Sequence, residues 1–320
     1  MPTRRLALTG ALFLPAIARA QEAWPTRSIR LISPFPPGGA ADVLARNLSE
    51  ELTPVLRQSV VVENRTGAGG SVGTEATVRS TPDGYTIMMG STGPLAINPA
   101  LLRLNYEPAR DLVPVAMVAT VASVLVAHPS VPARTLQEVL AMARARPGEI
   151  NFGSSGTGSA QHLFMELLRQ MARVDMAHIP YRGTGPAMVD LIGGRLNMMF
   201  DTTPTALPHI RDGRVRAIAV TTPRRDPALP DVPTISESGV PGYEGIGWYG
   251  LVAPVGTPPA IVERLNREVN AALGREAFRA RLLAQGTEPA PMTAEEFGRF
   301  IATDRERWTR VIREGNIRAE

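Results

Sequence analysis

The sequence contains no cysteine. This excludes a disulfide framework, a thiolate nucleophile, a Cys-based metal site and the cysteine that carries an exported lipoprotein's lipid anchor. Lysine is also absent, so every Lys/Arg-type cation is an arginine, and the lysine of a phosphate-binding P-loop is missing. No basic run forms a stripe able to track phosphates, which argues against nucleic acid as a partner. The histidines His128, His162, His178 and His209 lack metal-ligand spacing such as H-x-x-x-H, and no metal or other cofactor is expected. A G-x-S-x-G nucleophile elbow is missing too, because Gly153-Ser-Ser-Gly-Thr puts Thr157 where the last glycine belongs. These gaps argue against an enzyme.

What the chain does have begins with an export pattern. Met1-Pro-Thr-Arg-Arg is a basic start, Leu6 to Ala18 is apolar, and Ala18-Arg19-Ala20 supplies small-x-small cleavage chemistry. The apolar stretch falls short of the roughly 20 residues that a spanning helix needs. Residues 1–20 are therefore read as a signal peptide, by the general or the twin-arginine route, with the mature chain starting near Gln21. Removing Arg4, Arg5 and Arg19, with no acid among them, lowers the formal net charge of +4 by three, to about +1. The expected product is an unanchored periplasmic monomer long enough for two domains.

Short β-prone runs alternate with helical patterns, which argues for βαβ units and mainly parallel sheets. Ile29 to Ser33, Val60 to Glu63 and Tyr85 to Met89 read as strands. Between the first two, Val43, Leu44, Leu48 and Leu52 recur at helical spacing. Ala116 to Ala127 is a long β-prone run placed to cross between lobes. Strands near 150–152, 176–179, 198–200 and 217–221 then build a second sheet, and Gly247 to Ala253 returns. Pro259 to Gln285 and Thr293 to Arg313 read as closing helices packed on the first lobe. Thr135-Leu-Gln-Glu138 and Thr293-Ala-Glu-Glu296 are capping boxes. The expected division is 21–122 plus 248–320 for lobe one and 123–247 for lobe two.

Glycine-rich loops carry the chemistry, each lying between a strand end and a helix start. They are Pro36-Pro-Gly-Gly39, Thr66-Gly-Ala-Gly-Gly70, Gly153-Ser-Ser-Gly-Thr-Gly-Ser159 and Gly183-Thr-Gly185. A helix start offers unpaired N–H groups and a positive dipole end, which suit an anion. Any one loop is as well read as an ordinary turn, but four together point to a site. Ser155, Thr157 and Ser159 add hydroxyl donors. Gly67-Ala-Gly69 fails to complete a dinucleotide fingerprint. His162 either faces a bound carboxylate or packs into the core. Asp42 reads more readily as a partner of its helix dipole than as a ligand contact. Asp201 either accepts from a ligand ammonium or hydroxyl, or shapes a turn. Phe35 and Tyr181 wall the cleft or simply pack. Ser155 or Ser159 with His162 is the one local pair that an α/β hydrolase would use.

Taken together, Pro34-Phe-Pro-Pro-Gly-Gly-Ala-Ala-Asp42, Asn64-Arg-Thr-Gly-Ala-Gly-Gly70, Thr81-Pro-Asp-Gly-Tyr85, Asn98-Pro99, Gly156-Thr-Gly-Ser-Ala-Gln-His162, Pro180-Tyr-Arg-Gly183 and Trp248 to Pro258 resemble the Bug/TctC family. Its members are periplasmic substrate-binding proteins of tripartite tricarboxylate transporters. The resemblance runs through essentially the whole mature chain. It implies a two-lobed α/β Venus flytrap of the type II kind, with a cleft that closes on a small carboxylate and a membrane permease as partner. A ligand-binding sensor of a membrane signalling system would share the same chemistry. The site residues it implies are Gly38, Gly39 and Ala40, then Ser91 and Thr92, all in lobe one. In lobe two they are Ser155, Gly156, Thr157, Gly158, Ser159, Thr184, Gly185 and Asp201. Thr184 stands where the family often has a small residue, which alters pocket size or adds a donor.

Overall fold

A computed structural model describes residues 24–319, so the signal segment and its cleavage point lie outside the described residues. The chain opens with β1 (Ile29–Ser33), α1 (Ala40–Leu56), β2 (Val60–Asn64), α2 (Ser71–Val78) and β3 (Thr86–Ser91). Leu44, Leu48 and Leu52 of α1 are fully buried or nearly so, as their spacing predicts. Each such leucine contributes about 1.5–3 kcal/mol by leaving water. After β3 a wide turn at Gly93–Ile97 leads into α3 (Asn98–Leu101), α4 (Pro108–Asp111) and the long β4 (Leu112–Val121).

The β-prone run from Ala116 to Ala127 proves to be two strands. β4 ends at Val121, Ala122 breaks the pairing, and β5 (Ser123–Ala127) belongs to another sheet. The second sheet's elements follow as α5 (Leu136–Ala145), β6 (Asn151–Ser154), α6 (Ala160–Ala172), β7 (Ala177–Pro180), α7 (Thr184–Ile192), β8 (Met198–Thr202), α8 (Thr203–Arg211) and β9 (Arg216–Val220). β10 (Gly247–Pro254) returns to the first sheet, followed by α9 (Pro259–Gly274), α10 (Glu276–Ala284), β11 (Thr287–Pro289) and α11 (Ala294–Glu314). The helix expected over Pro259 to Gln285 is thus two, broken at Gly274–Arg275. Both capping boxes form, at Thr135 and at Thr293.

The sheets run β11-β4-β10-β3-β1-β2 and β7-β6-β8-β5-β9. They are mixed, which corrects the expectation of mainly parallel sheets. β1, β2 and β3 pair in parallel, as do β6, β7 and β8. β10 lies antiparallel between β3 and β4, and β5 antiparallel between β8 and β9. Position explains the reversal. Tyr249, near the start of β10, pairs with Ser91 at the end of β3, and Ser123 pairs with Thr202 at the end of β8. A chain arriving from the other lobe enters where the parallel strands finish, so it must run against them.

One apolar cluster fills the first lobe around α1 and α9, and another lies under α7 and α8 of the second. A third spans both, joining Ile32 and Met88 to Leu163 and Phe164 through Trp248, Phe297 and Trp308. α11 therefore does more than cover lobe one, because its Trp308 packs on Phe164 of α6 at 5.5 Å between ring centroids. Trp248 donates its ring N–H to Asp304 at 2.7 Å and meets Phe297 edge-on at 5.6 Å. Gly250 makes room for that ring, since a Cβ there would lie 2.7 Å from the Phe297 edge. Phe297→Ala should cost about 3–5 kcal/mol through the cavity it leaves; a urea unfolding curve, compared with that of the unaltered chain, measures this.

Candidate functional site

Both sets of parallel strands aim their carboxyl ends at the same space, where ligands bind in open α/β sheets. A cavity of about 440 Å³ lies there. Helices α1, α6, α7 and α8 start at or beside its wall. The residues ahead of α1 and α7 (Gly39 and Gly183) make no side-chain cap, so these starts have backbone N–H groups that no capping side chain occupies; at α8 the Thr203 N–H donates to the Ala122 carbonyl at 3.0 Å and Pro204 has none. Ser159 does cap α6, accepting from the His162 backbone N–H at 3.3 Å.

Of the residues singled out from sequence, Phe35, Gly38, Gly39, Ala40, Ser91, Thr92, Ser155, Thr184, Gly185 and Asp201 line this cavity. Gly156, Thr157, Gly158, Ser159 and His162 are not in its lining. The loop from Gly156 turns instead towards lobe one. A Cβ on Gly69 would lie 2.7 Å from the Thr157 carbonyl oxygen, and one on Gly158 would overlap the Asn98 side chain. This second-lobe loop is therefore spent on the seam between the lobes. Gly183 meets Pro36 across the same seam. Tyr181 borders a separate hollow there and donates to Asp190 at 2.8 Å.

Ser123, Gln161, Thr205, Trp248, Tyr249 and Gln285 join the lining without having been singled out. Gln161 accepts from the Ser155 hydroxyl at 2.9 Å, and Thr92 accepts the Trp248 backbone N–H at 3.0 Å. Ser123, Trp248 and Tyr249 sit where the crossing strands begin, and the sheet reversal brings them to the cavity. No arginine is among the described lining residues. Asp42 lies behind the wall rather than on it. It accepts from the Gly38 N–H at 3.0 Å, Arg46 at 2.9 Å and Asn64 at 2.8 Å. Burial pushes its carboxyl up, but these hydrogen bonds prevail and hold it below its ordinary value. The result is a fixed first loop, with Gly38 in the left-handed region at φ +81°.

Asp201 is 1% exposed. One of its oxygens accepts from the Thr202 N–H at 2.8 Å and the Thr205 hydroxyl at 2.6 Å, while the other is buried without a partner among the described residues. Burial pushes this carboxyl up to about 7, against the pull of those two bonds.

The hydrolase pairing is not made. The Ser155 hydroxyl is held by Gln161, Ser159 caps its helix, and the His162 Nδ1 accepts the Gly158 N–H at 3.3 Å. His162 stacks on His178 at 4.0 Å, and Ser154 is hydrogen-bonded to His178 Nε2 at 2.7 Å. Burial pushes His162 down to about 3 and His178 down to about 4. Each histidine takes up a proton in the unfolded chain near pH 6.5 but stays neutral in the fold. Stability is therefore full above pH 6.5 and is lost as pH falls towards 4, by up to about 1.4 kcal/mol per pH unit for each histidine. Thermal midpoints between pH 7 and 4.5 should fall less steeply for His178→Gln than for the unaltered chain.

A larger hollow of about 720 Å³ lies away from the strand ends, between α4, β4 and α11. Its floor is apolar and its rim carries Arg305, Arg310 and Arg313, and no helix of eight residues or more starts on it. Size alone favours it, but convergent polar groups favour the cleft.

Residues 44–317 match the family described as Tripartite tricarboxylate transporter family receptor. The chain is 42% identical to Protein BugT of Bordetella pertussis, covering 98% of this chain and 97% of that one. Its fold is similar to that of R. palustris Rpa4515 with adipate, at TM-score 0.90 and 37% identity, covering 92% of this chain and 99% of that chain. It is also similar to MatC from Rhodopseudomonas palustris with bound malate, at TM-score 0.86 and 33% identity, over 90% and 100% of the two chains.

Proposed function

Because the chain belongs to the tripartite tricarboxylate transporter receptor family, whose members bind solutes rather than transform them, we propose that it is a periplasmic receptor for a small organic carboxylate. It delivers that acid to the membrane subunits of a tripartite transporter. One observation carries the ligand class: the starts of α1 and α7, one from each lobe and without side-chain caps, converge on a single cavity that no described arginine lines. Such a wall holds an anion by N–H and hydroxyl donors, and not by ion pairing. The adipate and malate bound by the two similar structures are acids of this class and size. Export rests on the pattern at residues 1–20.

The working motion is a hinge between residues 24–122 plus 248–319 and residues 123–247. Ligand favours the closed form because it touches both lobes at once. The chain passes between sheets at Ala122 and again ahead of Gly247, so the hinge lies in these two crossings.

A thermal-shift screen tests the ligand class. Organic carboxylates should raise the melting temperature by several degrees, and stabilisation by non-acidic solutes alone would overturn the reading. Gly158→Ala tests closure. Its φ of +81° disfavours a side chain, and in the closed form the added methyl overlaps Asn98. Titration calorimetry should show acid affinity falling about tenfold or more, with part of the loss recovered by adding Asn98→Ala.

A further inference from the structure

Inside the cleft two polar groups have no partner among the described residues, the Asp201 carboxyl and the His209 ring. The Asp201 side chain is held at one oxygen by the Thr202 N–H and the Thr205 hydroxyl, which fixes its orientation. Its second oxygen is buried and has no partner among the described residues, although the residue lines the cavity. A buried acceptor left unsatisfied is costly, by about 1–3 kcal/mol. Tyr249 also lines the cavity.

We propose that Asp201 selects acids carrying a hydroxyl or ammonium group on their carbon skeleton, the ligand's donor filling the place opposite its free oxygen. This rests on the carboxylate reading above, with the acid group held by the helix starts and the donor directed to Asp201. A plain dicarboxylate suits the place poorly. Its second carboxylate would face Asp201 with no arginine among the described lining residues, so one of the two carboxyls must take up a proton for both to share the place. A hydroxyl or ammonium answers the oxygen and adds no like charge. His209, the other lining residue with a buried partnerless atom, lies on α8 and belongs to the same wall.

The test uses matched acids that differ only in the donor. Titration calorimetry on the mature chain would compare succinate, malate and aspartate, then glutarate, 2-hydroxyglutarate and glutamate, then phenylacetate, mandelate and phenylglycine. In at least one series the hydroxy or amino acid should bind about tenfold or more tightly than the plain acid. Asp201→Asn keeps an oxygen for Thr202 and Thr205 but turns an NH₂ towards the ligand, so the preference should collapse or invert in favour of the plain acid. Melting curves would establish that the variant is folded. Should Asp201→Asn fail to fold, Thr205→Val, which removes one of the two bonds orienting Asp201, should narrow the preference instead. Plain acids binding as tightly as their substituted partners, or a preference indifferent to both variants, would overturn the inference and leave the carboxylate reading standing. Binding of none of the nine acids would overturn both.

Discussion

Both described crossings between the two sheets lie at the cleft, and most of the molecule follows from that placement. Ala122 ends the pairing of β4 and releases β5 into the second sheet. The return at Gly247 does the same in the opposite direction. Each arriving strand meets the finishing ends of the parallel strands and so must run antiparallel to them. The crossings thereby place strand starts, strand ends and helix starts around one space. The chemistry of that space is mainly backbone chemistry. Gly39 and Gly183 precede helices α1 and α7 without a side chain to occupy their N–H groups.

On the proposed reading, closure and recognition draw on neighbouring stretches of the same loops. In lobe two, Ser155 faces the cavity, whereas Gly156 to Ser159 run against lobe one and cap α6. The stacked histidines behind that loop hold its start through Ser154 and its turn through Gly158. In lobe one, Asp42 performs the comparable service for Gly38. Asp42, His162 and His178 thus stiffen loops at the cleft and at the seam, while Asp201 keeps one oxygen with no partner among the described residues. The third apolar cluster, through Trp248 and Trp308, ties α11 to both lobes.

Much of this was legible in the sequence, for identifiable reasons. Helical spacing at Leu44, Leu48 and Leu52 and the two capping boxes are local signals, and the structure contains the helices they announce. The Gly-rich loops at 36–39 and 183–185 are local too, and both reach the cavity. Strand direction was not legible, because it depends on where a chain enters a sheet and not on residue type. For the same reason Ser123 and Tyr249 gave no signal of their own. The loop from Gly156 to Ser159 lies against lobe one and outside the cavity lining, and a glycine-rich turn looks the same in sequence whether a ligand or the opposite lobe approaches it. Gln161 and Gln285 became visible only once their helices were placed.

The central claim is that an acid binds where the helix starts converge, and not in the larger hollow beside α11. Hydrogen–deuterium exchange, with and without the carboxylate that stabilises the chain most, addresses it directly. Protection is expected at the backbone amides of residues 38–41, 91–93 and 183–185, in both lobes together. Protection confined to α4, β4 and α11, with the cleft amides unchanged, would contradict it.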